Sequence, residues 1–340
     1  MTPLSLLDFC TVRDDETPGQ SMERSVELAQ TAEKLGYGRI WYSEHHNMPS
    51  IASSSPAVLI AHIAAKTEKI RLGAGGVMLP NHAPYVIAEQ FGTLAELYPD
   101  RIDLGLGRAP GTDQNTLGRA LRRDPMSAEN FPNDVLELQG YLAGDSVVPG
   151  VTAVPGAGTN VPLYILGSSM FGATLAAKLG LPYSFASHFA PTHLEEATTY
   201  YRENFQPSEH CEEPFVIAAV NVTASESEQD AARQTELVRR KRVKAFLGRQ
   251  GRSLTEEQLD AVMNSPQGHQ IVGMLRYTAQ GTGEQVAEYL EGFAEHAKAD
   301  ELMISFQSPT HEEVLHSMEI VSTFMSVSYT HLRAHETDSY

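Results

Sequence analysis

The chain has 340 residues, of which 41% are hydrophobic, and a formal net charge of -18 at pH 7. This hydrophobic content is ample for a core, and the length fits either one large α/β barrel or two ordinary domains. The negative charge disfavours nucleic-acid phosphates and anionic lipid surfaces as partners. No apolar run approaches the roughly 18 residues that a membrane-spanning helix needs.

The segment MTPLSLLDF lacks the basic region and the long apolar stretch of a secretory signal. Cys10 and Cys211 are the only cysteines. Two free thiols in a reducing compartment are a better interpretation than a disulfide scaffold. We therefore expect a cytoplasmic protein, forming a homo-oligomer, that binds neither nucleic acid nor membrane.

Short β-like runs recur along the chain, and helix-like segments such as Ser21–Gly36 and Ala83–Pro99 lie between them. The eight predicted strands are Leu4–Phe9, Gly38–Ser43, Ile70–Gly76, Arg101–Gly107, Pro162–Gly167, Leu181–Ser187, Phe215–Val222 and Glu301–Phe306. Eight strands that alternate with helices predict a parallel (β/α)8 TIM barrel. An open doubly wound sheet is less favoured, because LDFCTVRDDETPG after the first strand contains no Gly-rich dinucleotide turn.

Two segments and the tail depart from this repeat. Residues Gly144–Asn160 have the composition of a loop, and Ala245–Gly281 is a long, polar, helix-prone insertion before the last helix–strand unit. The polar tail resembles a translated sequencing adapter. We therefore expect one barrel domain over residues 1–326 and a non-native, disordered tail over residues 327–340, whose histidines we exclude from any site.

The second predicted strand delivers ionisable groups at its carboxyl end, where barrels place their chemistry. In IWYSEHHNMPS an apolar, aromatic run ends in Glu44, His45 and His46. Histidine changes protonation near neutral pH and is also a common metal ligand. The pattern therefore leaves both acid–base chemistry and metal binding open.

The next two strands end in small residues. Gly75 and Gly76 would let a planar ligand approach the backbone closely, although ordinary strand-end glycines remain an alternative. Arg108 follows the fourth strand between small residues, where it could face an anion or an electron-rich ring, or form a surface ion pair.

The fifth strand runs into a helix through Gly167, Ser168 and Ser169. Free backbone N–H groups and two hydroxyls at a helix amino terminus suit a phosphate, although a plain serine N-cap is an alternative. The ends of strands two to five together predict a site for a planar cofactor that carries one phosphate. Flavin mononucleotide (FMN) is the natural candidate.

The sequence also resembles the bacterial luciferase-like flavin monooxygenases, specifically their single-chain oxidoreductase branch. The resemblance spans nearly the whole chain and is carried by AEKLGYGRIWYSEHH, by LGAGGVMLPNHAPYVIAEQFGTLAELYPDRIDLGLGRAPG and by ILGSSMFGATLAAKLGLPYSFASH. It implies a two-component monooxygenase that uses dioxygen and takes reduced FMN from a separate reductase to oxygenate a small organic substrate.

The resemblance also assigns roles to individual residues. His45 matches the catalytic histidine, and Glu44 would orient it or form a buried ion pair. Gly75 and Gly76 match a non-prolyl cis peptide bond under the flavin ring. Arg108 matches an arginine that contacts the flavin, and residues 167–169 match the phosphate segment. Luciferases proper carry glutamate where this chain has Gly167, so a luciferase-type substrate is not implied.

Three other functions remain open at this point. The same barrel hosts deazaflavin-dependent dehydrogenases and reductases, which the retained chromophore would identify. A metal hydrolase could use His45, His46, His62 and His82, although most other strand ends lack suitable ligands. A non-catalytic flavin-binding protein would bind oxidised flavin without consuming oxygen.

Overall fold

The structure is a computed structural model that describes residues 2–124, 126–248 and 254–337, with side chains described as far as residue 325. The strands within these residues are β1 (Leu4–Asp8), β2 (Arg39–Tyr42), β3 (Arg71–Met78), β4 (Ile102–Gly107), β5 (Leu163–Gly167), β6 (Tyr183–Phe185), β7 (Val216–Ala224), β8 (Thr278–Gly281) and β9 (Glu301–Phe306). The α-helices are α1 (Pro18–Leu35), α2 (Pro56–Ala64), α3 (Pro84–Leu97), α4 (Phe131–Ala143), α5 (Met170–Leu179), α6 (Leu194–Asn204), α7 (Glu228–Gly248), α8 (Glu256–Met263), α9 (Pro266–Gly273), α10 (Gly283–Ala297) and α11 (His311–Thr337).

The chain divides into two compact units, and the first comprises Ser5–Phe185 and Glu196–Ile217. Its strands are parallel and lie in the order β6-β5-β4-β3-β2-β1, with a helix between each consecutive pair. The register aligns Trp41 with Gly73, and Gly73 with Asp103. Because all these strands point the same way, their carboxyl ends lie on one rim of the unit.

The second unit contains β7, β8 and β9 in the order β9-β7-β8, and β7 pairs in parallel with β8. The element order and the parallel strand order within each unit are those of a (β/α)8 barrel with an insertion before the last helix–strand unit. The predicted fold class is therefore confirmed. Whether residues 1–326 behave as a single domain stays a prediction.

The predicted insertion contains more structure than the sequence indicated. Its helix-prone part forms α8 and α9, where Leu259 and Ile271 form a buried cluster with Val243 and Leu247 of α7. The insertion also ends in strand β8, which the sequence analysis missed. This strand has only four residues, TAQG, of which two are buried, so neither length nor alternation marks it.

Other boundaries differ by a few residues. The predicted strand Leu181–Ser187 is shortened to Tyr183–Phe185, and β3 continues two residues past the predicted end at Gly76. Residues Gly144–Asn160 connect α4 to β5 without a helix or strand, as predicted. Helix α11 extends to Thr337, and residues 338–340 lie outside the described residues. That the tail over residues 327–340 is non-native and disordered stays a prediction.

The glycines of β3 and β4 make room for a buried tryptophan. A Cβ atom on Gly73 would lie 2.7 Å from two atoms of the Trp41 indole ring. Trp41 donates its Nε1 hydrogen to Asp103 at 3.2 Å and packs edge-on against Tyr164. Asp103 is fully buried and is also bound by Arg39 and Arg71, so its charge is compensated. These contacts form a closely packed layer below the rim.

The state of the two cysteines and the presence of membrane-spanning helices can also be checked in the described residues. Cys10 and Cys211 are both thiols rather than members of a disulfide, as predicted. In the described part of the chain, no helix combines the length and the apolar character needed to cross a bilayer.

Helix α3 depends on a glycine where it meets the 144–160 connection. A Cβ atom on Gly92 would lie 2.1 Å from the Cα atom of Gly156. We expect Gly92→Ala to lower the free energy of unfolding by about 1–3 kcal/mol, because overpacking forces the backbone apart. Urea denaturation followed by circular dichroism measures this change.

Gly292 is the matched control for that substitution. It is exposed in α10, and a Cβ atom there would have no neighbour within 4 Å. Gly292→Ala should raise stability by up to about 1 kcal/mol, since alanine favours helix more than glycine does. Equal effects of the two substitutions would contradict the close α3 contact.

Candidate active site

The candidate residues all lie within or just after strands of the first unit. Glu44, His45 and His46 come after β2, Gly75 and Gly76 lie within β3, Arg108 follows β4, and residues 167–169 join β5 to α5. The sequence prediction that these residues share one rim agrees with the parallel strand order. Their individual contacts differ from the predicted ones in several respects.

The carboxylate of Glu44 joins the ends of two strands. Its Oε1 atom accepts hydrogen bonds from Nε2 of His46 at 2.9 Å and from Nε2 of His82 at 2.8 Å. Its Oε2 atom accepts the backbone N–H of Met78, at the end of β3, at 3.0 Å. Of the two roles considered for Glu44, these contacts favour the buried pair, here with His46 and His82, and among the described side-chain contacts of Glu44 none is to the His45 ring.

Glu44 is held as a buried anion. Only 1% of the residue is exposed, and burial opposes its ionisation. Hydrogen bonds from His46, His82 and the Met78 amide outweigh burial and lower the pKa of Glu44 to about 2. A carboxylate that accepts several hydrogen bonds is stabilised in its charged form. Glu44 is consequently an acceptor at neutral pH and does not supply a proton.

His45 has a different set of neighbours. Its Nδ1 atom lies 3.1 Å from Oγ of Ser43, and its ring lies 5.9 Å from the Phe9 ring, centroid to centroid. Its backbone N–H donates to the carbonyl of Ser53 at 3.0 Å. The ring is half-buried. Ser43 and Ser53 could not be recognised from the sequence, because serine is common beside strand ends and carries no distinctive spacing.

The Gly75–Gly76 peptide bond is cis, as predicted. Close packing also requires glycine at the second position, since a Cβ atom on Gly76 would lie 2.6 Å from the carbonyl oxygen of Gly105. A Cβ atom on Gly75 would lie 2.9 Å from Cβ of Trp41. Both glycines are therefore explained by local packing as well as by the predicted approach of a planar ligand.

Arg108 forms a cationic corner with a second arginine. Its guanidinium lies 3.8 Å from the centroid of the Phe171 ring, on α5. Arg123 donates to the carbonyl of Arg108 at 3.3 Å and to Oδ1 of Asn81 at 3.0 Å. Burial, and after it repulsion from Arg108, lowers the pKa of Arg123. Neither arginine makes an ion pair with another residue in the described ranges, so the ion pair left open for Arg108 is not found.

The amino terminus of α5 lies beside this corner. Ser169 is the N-cap residue, but its side chain does not cap the helix, which argues against the plain serine cap. The first backbone N–H groups of a helix have no partner within the helix. Ser168 is half-buried and Ser169 is exposed. Phe171 contacts Arg108 from the first turn, so the arginine lies next to this helix end.

The loop after β4 is fastened to the loop after β2. The backbone N–H of His46 donates to Gly111 at 3.0 Å, and Thr112 donates to the carbonyl of His46 at 3.0 Å. Asn47 donates to Asp113 at 2.9 Å, and this bond is the main reason that the pKa of Asp113 lies well below its usual range. These bonds fix the path of the chain on either side of the site.

The histidines of the metal alternative do not assemble around one point. His46 and His82 converge on Glu44, whereas His62 lies on α2 and bonds Glu23 at 3.0 Å. Within the described residues, no group of three or more His, Cys, Asp or Glu side chains has a metal-binding arrangement.

The family model and the similar proteins both indicate a monooxygenase family for this chain. The sequence model of the luciferase-like monooxygenases matches residues 2–301. A luciferase-like monooxygenase of Escherichia coli K12 is 42% identical over 317 residues, which cover 93% of this chain and 95% of that protein. An N-acetyl-S-alkylcysteine monooxygenase of Bacillus subtilis is 34% identical over 325 residues, covering 89% and 92% respectively.

Solved structures agree with the fold. Apo-MsnO8 has a TM-score of 0.85 and 33% identity, and the match covers 96% of this chain and 99% of that one. More distant structures share the fold alone. They include the FMN complex of the oxygenating constituent of a diketocamphane monooxygenase (TM-score 0.73, 14% identity) and an F420-dependent secondary alcohol dehydrogenase (TM-score 0.69, 15% identity).

The state of Glu44 should make stability depend on pH. Its folded pKa is lowered from 4.5 to about 2, so its charged form stabilises the fold fully above pH 4.5, and that contribution is lost as pH falls towards 2. Glu44→Gln should lower the free energy of unfolding at pH 7 by about 1–3 kcal/mol, because an amide nitrogen or oxygen cannot satisfy all three donors. In urea titrations between pH 7 and pH 3, the difference in free energy of unfolding between the variant and the wild type should become smaller below pH 4.5.

Glu23→Gln provides the matched control. Glu23 also accepts from a histidine, His62, but its side chain is 63% exposed. Its substitution should leave the urea midpoint near the wild-type value at every pH. If the difference in free energy of unfolding between Glu44→Gln and the wild type stayed constant with pH, the carboxylate charge would not stabilise this site.

Proposed function

The chain belongs to the luciferase-like monooxygenase family, a family of oxygenating oxidoreductases, and on that basis we propose that it is an FMN-dependent monooxygenase of a small organic substrate. Reduced FMN would come from a separate reductase. One atom of dioxygen would enter the substrate, and the other would leave as water as the reduced flavin is oxidised. We further propose that the protein is cytoplasmic and that it forms a homo-oligomer. Sedimentation of the purified protein would test the oligomeric state.

The observation that carries the proposal is the cationic corner beside α5. Arg108 and Arg123 lie close enough to affect each other and lack an ion-pair partner in the described residues. The α5 amino terminus adds backbone donors that the Ser169 side chain leaves uncapped. Two guanidinium groups without an ion-pair partner among the described residues, together with a helix end, suit a phosphate group. The residues present therefore fit the phosphate end of FMN.

The remaining residues fit the other parts of such a cofactor. Gly75 and Gly76 would lie under the flavin ring, where a side chain would obstruct a planar group. His45 would act as the acid–base group next to it, since the unperturbed pKa of histidine, about 6.5, suits proton transfer near neutral pH. When bound, reduced FMN would supply the electrons that activate dioxygen.

A deazaflavin-dependent dehydrogenase or reductase is the second candidate, because an F420-dependent enzyme shares the fold.

The test is an anaerobic titration with reduced FMN and with reduced F420, followed by addition of ¹⁸O₂ in the presence of an N-acetyl-S-alkylcysteine. That thioether is a reasonable first probe because a relative is named for it. One ¹⁸O atom in the product would support the monooxygenase. Hydride transfer to or from F420 without oxygen uptake would support the alternative, and tight binding of oxidised FMN without turnover would indicate a flavin-binding protein.

The phosphate assignment predicts a selective loss of affinity. Ser168→Asp should raise the dissociation constant of FMN by at least about tenfold, because like charges a few ångströms apart repel strongly. Riboflavin lacks the phosphate, so its dissociation constant should change by no more than about threefold. Fluorescence titration of both flavins measures the two constants.

Ser168→Asn is the matched control, since asparagine has nearly the size of aspartate without the charge. It should affect FMN and riboflavin to a similar, small extent. If Ser168→Asp weakened both flavins equally, the phosphate would not lie at the end of α5.

The role of His45 predicts a loss of turnover without a loss of binding. His45→Ala should keep the FMN dissociation constant within about threefold but slow formation of the oxygenated product on the order of 100-fold or more. Single-turnover assays with pre-reduced FMN measure this rate. His62→Ala, which alters a half-exposed histidine on α2, should leave it unchanged. Equal rates for His45→Ala and the wild type would make His45 structural.

A further inference from the structure

A short chain of buried hydroxyl groups connects His45 to a backbone carbonyl. Nδ1 of His45 lies 3.1 Å from Oγ of Ser43, which lies 2.9 Å from Oγ of Ser53. Oγ of Ser53 in turn lies 3.1 Å from the carbonyl oxygen of Phe9. Both serines are buried, with 2% and 1% exposure. Their hydroxyl groups therefore depend on protein partners.

The chemistry of the last group fixes the direction of the whole chain. A carbonyl oxygen only accepts, so the single hydroxyl hydrogen of Ser53 is donated to Phe9. Oγ of Ser53 must then accept from Ser43, which uses the single hydroxyl hydrogen of Ser43. The contact between Ser43 and His45 consequently requires a hydrogen atom on Nδ1 of His45.

We propose that Ser53 is a positioning residue that sets the tautomer of His45 through Ser43. Neutral His45 then carries its hydrogen on Nδ1 and its lone pair on Nε2. The basic nitrogen of the imidazole is therefore Nε2, and this atom would accept the proton in the reaction. The inference deepens the proposed function, because it specifies which nitrogen of His45 does the acid–base work.

The arrangement differs from a carboxylate–histidine pair. A hydroxyl group accepts the Nδ1 hydrogen without adding a charge beside the ring. The tautomer nevertheless has a large effect on catalysis, since a wrong histidine tautomer alone lowers turnover about 10⁴-fold in the Ser–His–Asp triad. Two neutral serines can therefore select the basic atom of His45 while leaving the charge balance near the site unchanged.

Removing the Ser53 hydroxyl should reverse the direction of the chain. In Ser53→Ala the Ser43 hydroxyl loses its acceptor and is free to donate to Nδ1 of His45. The hydrogen of the neutral ring then moves to Nε2. The backbone bond from His45 to the Ser53 carbonyl is retained in this variant, so the ring should stay in place.

The test is a multiple-bond ¹H–¹⁵N correlation spectrum of the full chain labelled at histidine nitrogens, recorded above the titration of His45. The signal of His45 is identified by its absence in His45→Gln. We expect the pattern of an Nδ1–H tautomer in the wild type and of an Nε2–H tautomer in Ser53→Ala. Ser54→Ala, the same substitution at the exposed neighbouring serine, should keep the wild-type pattern.

The same variants give a kinetic readout. Ser53→Ala should lower single-turnover product formation about tenfold or more while the FMN dissociation constant stays within about threefold. An Nε2–H tautomer in the wild type would overturn the proposal, and so would an unchanged His45 signal in Ser53→Ala. The wild-type spectrum decides the question even if Ser53→Ala does not fold. Because it needs neither flavin nor turnover, it is also independent of whether the proposed function holds.

Discussion

The constraint on which the rim depends is the buried charge of Glu44. An ionised carboxylate in the interior is costly unless it is paired and hydrogen-bonded. Here the compensation comes from two histidine rings and the amide of Met78, which lie on different segments of the chain. Satisfying one charge therefore fixes the end of β3 relative to the end of β2. Because His46 is also bonded to Gly111, the loop after β4 is included in the same arrangement.

The cationic corner of Arg108 and Arg123 differs from Glu44, because its positive charges have no ion-pair partner among the described residues. The segment from Arg108 to Arg123 contains four arginines and a single carboxylate, Asp113, in a chain with a net charge of -18. A local positive surface in an otherwise acidic protein attracts small anions and repels other acidic regions. Arg123 is partly desolvated beside Arg108, so an anion bound at the proposed phosphate site would relieve the repulsion between the two guanidinium groups. Affinity for a phosphate group would then come partly from relief of this repulsion.

Sequence reasoning could predict the fold and the segments of the site, but only part of its contacts. Strand–helix alternation was strong enough to indicate the barrel, whereas β8 is too short and too weakly apolar to be recognised. Strand-end positions indicated Glu44, His45, Arg108 and the α5 junction because parallel strands bring these ends to one rim. The partners of those residues depend on side-chain directions and loop paths. Glu44 therefore paired with His46 and His82 rather than with His45, and Arg123, which is distant in sequence, was missed.

The hydrogen-bond partners distinguish histidines that look alike in the sequence. His46 and His82 both donate from Nε2 to Glu44, and a ring nitrogen that donates to a buried carboxylate is not available as a base. His45 instead contacts a neutral hydroxyl through Nδ1. A change of protonation at His45 therefore does not disturb the carboxylate that holds the strand ends together. If His45 is the acid–base group, as proposed, this separation from His46 and His82 would let the rim stay fixed while a proton is gained or lost next to it.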